Sequence, residues 1–125
     1  MRKILVVDDQ DLILRILRVV LSKCGVELIE KNDGNGAIEF FEENDAPDVV
    51  ILDYSMPGMD GVETLKKIRM MPNGKNVPVV MLTARDQTAI RNAAADLGVK
   101  AFLTKPFSPV ELQKLIREII PEEGG

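Results

Sequence analysis

The stretch Val49-Val50-Ile51-Leu52-Asp53-Tyr54-Ser55-Met56-Pro57-Gly58-Met59-Asp60-Gly61-Val62-Glu63 gives three structural cues in succession. Val49 to Leu52 is a short, unbroken apolar run, the pattern of a strand covered on both faces in a parallel sheet. Asp53 ends the run, and Pro57-Gly58 supplies a turn. Asp60 with Glu63 then forms a capping pair for a helix carrying Val62, Leu65 and Ile68. Strand, acid, turn and helix make one half of a parallel crossover unit.

The same alternation extends in both directions. Four further apolar runs are Ile4 to Val7, Val26 to Ile29 (interrupted by Glu27), Val77 to Leu82 (interrupted by Pro78) and Ala101 to Leu103. The second and fifth runs have more polar neighbours and are placed near the sheet edges. Leu12, Ile13, Ile16, Leu17, Val20 and Leu21 repeat at helical spacing, with Gly25 as the stop. Ile38, Phe40 and Phe41 mark a second helix entered through Asp33-Gly34-Asn35-Gly36. Asp86 caps a fourth, which holds Ile90, Ala94 and Leu97 and stops at Gly98. Ser108-Pro109-Val110-Glu111 is a cap, a first-turn proline and a capping-box acid in order, and Pro121 ends that fifth helix. Strand followed by helix five times predicts a doubly wound α/β layer sandwich, which right-handed crossovers restrict to a few topologies. One domain over 1–121 is expected, with 122–125 as a disordered tail.

Composition narrows the chemistry. The 125 residues are 46% hydrophobic and 29% charged, ordinary values for a chain that buries one core without disulfides or a structural metal. There is no histidine, which excludes Ser-His-Asp and Cys-His nucleophile pairs, His-rich zinc sites and an imidazole proton shuttle. The single Cys24 cannot pair within the chain and fits a reducing compartment. Sixteen basic against twenty acidic residues give a net charge of −4, which argues against broad binding to nucleic acid or anionic membranes. The apolar start at Ile4 soon meets Asp8 and Asp9, unlike a signal peptide, and no run approaches the ~20 residues of a membrane span. A soluble, cytoplasmic protein is expected.

Ligands of open parallel sheets collect at the carboxyl ends of the strands. There the sequence puts Asp8 and Asp9, Asp53, Thr83 and Lys105, provided that strands one, three, four and five are neighbours. Gathered carboxylates repel one another unless a cation intervenes. Mg²⁺ accepts one or two carboxylates, keeps waters and takes a phosphoryl oxygen. A carboxylate can also attack phosphorus and become an aspartyl phosphate. Charge on the transferring group would be met by the metal, Lys105 and the Thr83 hydroxyl.

Val6-Val7-Asp8-Asp9, Leu52 to Gly61, Leu82-Thr83-Ala84 and Thr104-Lys105-Pro106-Phe107 together resemble the receiver domain of bacterial two-component response regulators, in its single-domain, chemotaxis-regulator-like form. The resemblance spans essentially the whole chain. It implies a five-stranded (βα)5 sheet in order 2-1-3-4-5 with helices on both faces, and this order brings the four strand ends together. It further implies Asp53 as phosphoacceptor, and Mg²⁺ (Mn²⁺ as substitute) held by Asp9 directly, Asp8 through water, Asp53 and the Ser55 backbone carbonyl. Thr83 and Lys105 would bind the phosphoryl group, Lys105-Pro106 would be cis, and Ser55, Ala84 and Arg85 would flank the group. Phe102, where tyrosine is also common, would move inward with Thr83 and signal to the face of the fourth helix, fifth strand and fifth helix.

Taken singly, these residues have plainer readings. Asp8-Asp9 can cap a helix, Asp53 can start a turn, Thr83 can enter a helix, and a lone Lys-Pro is cis at roughly 5–6% of such bonds. Their conjunction at strand ends defeats those readings. Gly34-Asn35-Gly36 lacks the third glycine of a dinucleotide fingerprint, and Asp33, Asn35 and Ala37 do not complete an EF-hand loop. A receiver-like binding module without phosphorylation would be expected to lose an acid, the acceptor or the lysine, and none is lost. A haloacid-dehalogenase-type phosphohydrolase wants a second Asp two residues after the nucleophile, where this chain has Ser55.

The resemblance thus implies a phosphoryl-accepting switch rather than a conventional enzyme, one that catalyses its own phosphorylation and dephosphorylation. Its partners would be a sensor histidine kinase or histidine phosphotransfer protein and a downstream protein target, with no direct nucleic-acid or membrane contact and a monomer before phosphorylation. Lys100-Ala101 stand where one DNA-binding subfamily tends to carry acids for dimerisation, which disfavours that subfamily.

Overall fold

The computed structural model describes residues 1–84 and 88–120. Five strands, β1 (Lys3–Val7), β2 (Glu27–Lys31), β3 (Val49–Asp53), β4 (Val79–Thr83) and β5 (Ala101–Thr104), alternate with helices α1 (Asp11–Leu21), α2 (Gly34–Glu43), α3 (Gly61–Arg69), α4 (Thr88–Ala95) and α5 (Pro109–Ile119). All strand pairs are parallel, in the order β2-β1-β3-β4-β5. The doubly wound α/β class, the strand order and the edge positions of the second and fifth runs are therefore as expected.

Alternation along the strands divides the core into two layers. Leu5, Val7, Val50, Leu52, Val79 and Met81 pack on one face with α2 and α3 residues such as Phe41, Leu65 and Ile68, and with Ala94 of α4. Ile4, Val6, Val49, Ile51, Val80 and Leu82 pack on the other with Leu17 and Leu21 of α1 and Leu112 and Ile116 of α5. Every residue of β3 and β4 is buried, whereas β5 at the edge buries only Leu103 fully.

The caps follow the sequence cues. The side chains of Asp33, Asp60 and Ser108 accept hydrogen bonds from the N–H groups of Gly36, Glu63 and Glu111 at 2.7, 2.8 and 3.2 Å. Gly25 and Gly98 take left-handed φ values of 65° and 74°, a conformation glycine adopts without a Cβ penalty. Asp86, Pro121 and the tail expected over 122–125 lie outside the described residues.

Three local expectations shift. In α1 the buried face is Leu14, Leu17, Val20 and Leu21, while Leu12 and Ile16 are exposed. An apolar sequence this dense has no unique helical phase, and packing against the sheet selects it. The helix also stops at Leu21, and a 3-10 turn over Ser22–Cys24 carries the chain to Gly25. β4 begins at Val79 rather than Val77, because Pro78 has no N–H for the ladder; its carbonyl instead accepts from Val50 N–H at 2.9 Å.

At the amino edge of the sheet, Arg69 ties together the segments that enter β4 and β5. Its guanidinium donates to the carbonyls of Leu97 (2.8 Å), Gly74 (2.9 Å), Val77 (2.8 Å) and Gly98 (3.3 Å).

Candidate functional site

The opposite, carboxyl edge gathers the predicted chemistry. Asp53 and Thr83 are the last residues of β3 and β4, Asp8 follows β1 directly, and Lys105 follows β5. The register puts Asp53 beside Leu82 and Thr83 beside Thr104, so neighbouring strands deliver these side chains to one place. Asp8, Asp53 and Thr83 are each no more than 2% exposed. Behind Asp53 the turn into α3 is tight, since a Cβ on Gly61 would stand 2.5 Å from the Asp53 carbonyl oxygen. Only glycine lets the loop close that near.

Lys105 Nζ lies 2.7 Å from Asp8 Oδ2, 3.2 Å from Asp53 Oδ1 and 3.4 Å from Gln10 Oε1. The other Asp8 oxygen accepts from the Gln10 backbone N–H at 2.9 Å. The Asp53 carboxyl is pushed up to about 6, first by burial and then by the Asp8 charge. Lys105 and the Ser55 backbone N–H oppose that rise and only partly offset it. Its second carboxylate neighbour is Asp9, which is exposed, and one oxygen from each of Asp8, Asp9 and Asp53 lies within 4.8 Å of the others. One lysine against three acids leaves a surplus of negative charge, which suits a hard divalent cation with oxygen ligands.

The pocket in front of Asp53 has a volume of about 150 Å³ and is lined by Gln10, Asp53, Ser55, Ala84 and Lys105. The Thr83 hydroxyl is buried with no hydrogen-bond partner among the described residues. An orphaned hydroxyl costs roughly 1–3 kcal/mol, a cost that a ligand oxygen would remove. The Lys105-Pro106 peptide is cis. Fixed donors, clustered carboxylates and a small pocket lined by polar side chains suit a tetrahedral oxyanion with a metal ion, and the Asp53 carboxylate stands inside the pocket.

The sequence profile of the response regulator receiver domain matches residues 4–117. The chain belongs to this family. The receiver domain is similar to chemotaxis protein CheY4 of Vibrio cholerae, with 32% identity, a TM-score of 0.88 and coverage of 96% of this chain and 99% of that one. It is also similar to the receiver domain of sensor histidine kinase PA1611 from Pseudomonas aeruginosa (28% identity, TM-score 0.85, 97% and 98% covered), whose structure has a magnesium ion coordinated in its active-site cleft. Among curated relatives, the probable transcriptional regulator ycf27 of Guillardia theta is 40% identical over 94% of this chain and 45% of that protein. The alkaline phosphatase synthesis transcriptional regulatory protein PhoP of Bacillus subtilis is 35% identical over 95% and 48%. The chain thus spans about half the length of the curated relatives it matches. Their being transcriptional regulators stands in tension with the subfamily expectation drawn from Lys100-Ala101.

Residues 4–117 are thus a receiver domain, a phosphorylatable signalling switch. Among the described residues, no helix is long and apolar enough to cross a membrane.

Of the other predicted residues, Ser55 and Ala84 line the pocket, and Phe102 lies half-buried on β5, away from it. Arg85 lies outside the described residues. Two residues near the site escaped the sequence reading. Gln10 is the N-cap residue of α1, yet its side chain makes no cap bond and turns to Lys105 instead. Arg91 donates to Thr104 Oγ1 at 2.9 Å and stands 5.6 Å from the Phe102 ring centroid, a cation–π distance. Gln10 has a weak signal, being a residue type that rarely caps a helix directly after two acids. Arg91 has none, since nothing in the sequence distinguishes it from a solvated helix charge.

Proposed function

We propose that the Asp53 carboxylate accepts a phosphoryl group from the phosphohistidine of a partner, in a Mg²⁺-dependent reaction. The observation that carries this reading is the placement of Asp53: a nearly buried carboxylate against Lys105, opening on a small pocket beside an unpartnered Thr83 hydroxyl. An Asp53 oxygen attacks phosphorus, the O–P bond forms, the P–N bond breaks, and the imidazole leaves with the electron pair. Hydrolysis later returns the carboxylate and releases inorganic phosphate.

Asp8, Asp9, Asp53 and the Ser55 carbonyl are the residues that would hold Mg²⁺, with Mn²⁺ as a substitute. Bound there, the ion would neutralise charge on the phosphoryl oxygens. Lys105 ion-pairs with the transferred group, and the Thr83 hydroxyl donates to one of its oxygens. Backbone N–H groups near Ser55 and Ala84 border it. Both phosphorylation and hydrolysis are thereby catalysed by the receiver domain itself.

With Thr83 drawn towards the phosphoryl group, Phe102 moves inward, and the face of α4, β5 and α5 changes its affinity for a downstream protein. The donor in this reading is a sensor histidine kinase or a histidine phosphotransfer protein, and these 125 residues contain no histidine that could serve instead. The unphosphorylated form is monomeric in this reading, and its acidic balance suits protein partners better than nucleic acid or an anionic membrane.

Incubation with Mg²⁺ and acetyl phosphate should add one phosphoryl group by intact-mass spectrometry. Chelator should abolish labelling, and Lys105→Ala should retain some labelling while impairing target binding. No adduct on the wild type, or one that survives Asp53→Asn, would remove the acceptor assignment.

A further inference from the structure

Gln10 occupies a place that helix stability does not explain. Ser, Thr, Asp and Asn are the residues that cap helices well, and a poor cap costs about 1 kcal/mol. Gln10 holds the N-cap position of α1 without using its side chain as a cap. Its backbone is instead pinned, with the N–H donating to Asp8 Oδ1 at 2.9 Å and the carbonyl accepting from Leu14 N–H at 3.2 Å. The side chain lies on the pocket wall with Asp53, Ser55, Ala84 and Lys105. Residues that break a local rule beside a reactive group are where function is to be sought.

The chemistry of the amide then fixes its orientation. An ammonium has donors only, so the glutamine oxygen must face Lys105 Nζ, at 3.4 Å. That leaves the two N–H donors of the same amide to a ligand in the pocket. The Asp53 oxygen is 3.2 Å from the same ammonium, so the glutamine amide and the nucleophile are held around one nitrogen.

We infer that Gln10 is a further catalytic residue, whose side-chain N–H donates to an oxygen of the phosphoryl group being transferred to Asp53. This inference rests on the phosphoacceptor reading above. In the test reaction the Asp53 O–P bond forms, the P–O bond of acetyl phosphate breaks, and acetate leaves with the electron pair. The glutamine transfers no proton. Its donor strengthens as charge spreads over the phosphoryl oxygens, as expected for a group that acts chiefly in the transition state.

The test measures the rate of acetyl phosphate labelling, with saturating Mg²⁺, for wild type, Gln10→Leu and Gln10→Arg. Leucine removes both amide functions, and arginine keeps donors while losing the acceptor for Lys105. Gln10→Leu should lower the maximal rate about tenfold with little change in half-saturating phosphodonor. Gln10→Arg should restore the maximal rate to within about threefold of wild type. Thermal melts of all three confirm that the variants compared are folded. A wild-type rate in Gln10→Leu, or Gln10→Arg as slow as Gln10→Leu, overturns the inference while the wild type still labels on Asp53. A wild type that does not label overturns the phosphoacceptor reading and this inference with it.

Discussion

The two ends of the sheet each hold a cation in place, and they do so on opposite terms. At the amino edge, Arg69 donates to four backbone carbonyls, all neutral and all fixed by the chain entering β4 and β5. Burial pulls its pKa below the ordinary arginine value, and no carboxylate contributes to the shift. At the carboxyl edge, Lys105 faces Asp8 and Asp53, two buried acids, while a third carboxylate and a bare threonine hydroxyl stand nearby. The first arrangement commits four of the five guanidinium N–H groups to the backbone and carries no surplus of negative charge. The second has excess negative charge and an unsatisfied hydroxyl, so it gains by taking up a cation and an oxyanion. Around Arg69 the cation is met by neutral carbonyls and serves the fold, whereas around Lys105 the charge is left unbalanced and the Thr83 hydroxyl unpartnered.

This contrast breaks first if Arg69 is dispensable. Arg69→Met keeps the aliphatic stem and abandons four carbonyls, and is expected to cost about 4 kcal/mol, lowering Tm by roughly 15 °C. Acetyl phosphate labelling measured well below that Tm should stay near wild type. A melting curve that overlays the wild type would show that the amino-edge network is not structural.

The next effect belongs to the carboxyl edge and has the opposite sign. A carboxyl at about 6 in the folded chain and 3.8 unfolded keeps its proton longer when folded. Its stabilising contribution is present below pH 4 and is lost as pH rises through about 6, by about 3 kcal/mol in metal-free protein. Asp53→Asn removes that loss. Urea melts with chelator present should therefore find the variant more stable than wild type at pH 7, with the advantage shrinking towards pH 4. Equal stability at both pH values would mean that Asp53 is not strained by its neighbours.

Mg²⁺ tests the same surplus by filling it. At a concentration about 100-fold above its Kd, the ion should stabilise the wild type by about 2.7 kcal/mol. The gain should be smaller in Asp53→Asn and much smaller in Asp9→Asn, as read by thermal melts. The smallest change is expected from Arg18, whose exposed side chain donates to Glu30 at 2.7 and 2.8 Å and holds that carboxyl below its usual range. Arg18→Ala should let the Glu30 pKa return upward in an NMR titration while Tm stays unchanged within error.

Much of this was legible in the sequence, for physical reasons. Strands buried on both faces must be apolar throughout, so Val49 to Leu52 announces itself, and the polar residue ending each run must sit at the sheet edge. That logic located Asp8, Asp53, Thr83 and Lys105 without coordinates. It could not choose the buried face of α1, where apolar residues surround most of the helix and the sheet decides between Leu12 and Leu14. It could not find Arg91, whose pairing with Thr104 and Phe102 depends on how α4 lies across β5. Gln10 was quoted by no motif, because its role depends on where Lys105 arrives from the far end of the chain.

That arrival has a consequence for folding. Lys105 meets Asp8 across 97 residues, so the ion pair forms only when the last strand is laid against a sheet begun by the first. A sheet packed without β5 would bury Asp8 and Asp53 with no lysine between them, an electrostatic penalty that Lys105 relieves in the complete fold. The full charge balance of the acceptor site is therefore reached only when the last strand is in place, at the end of the chain's assembly.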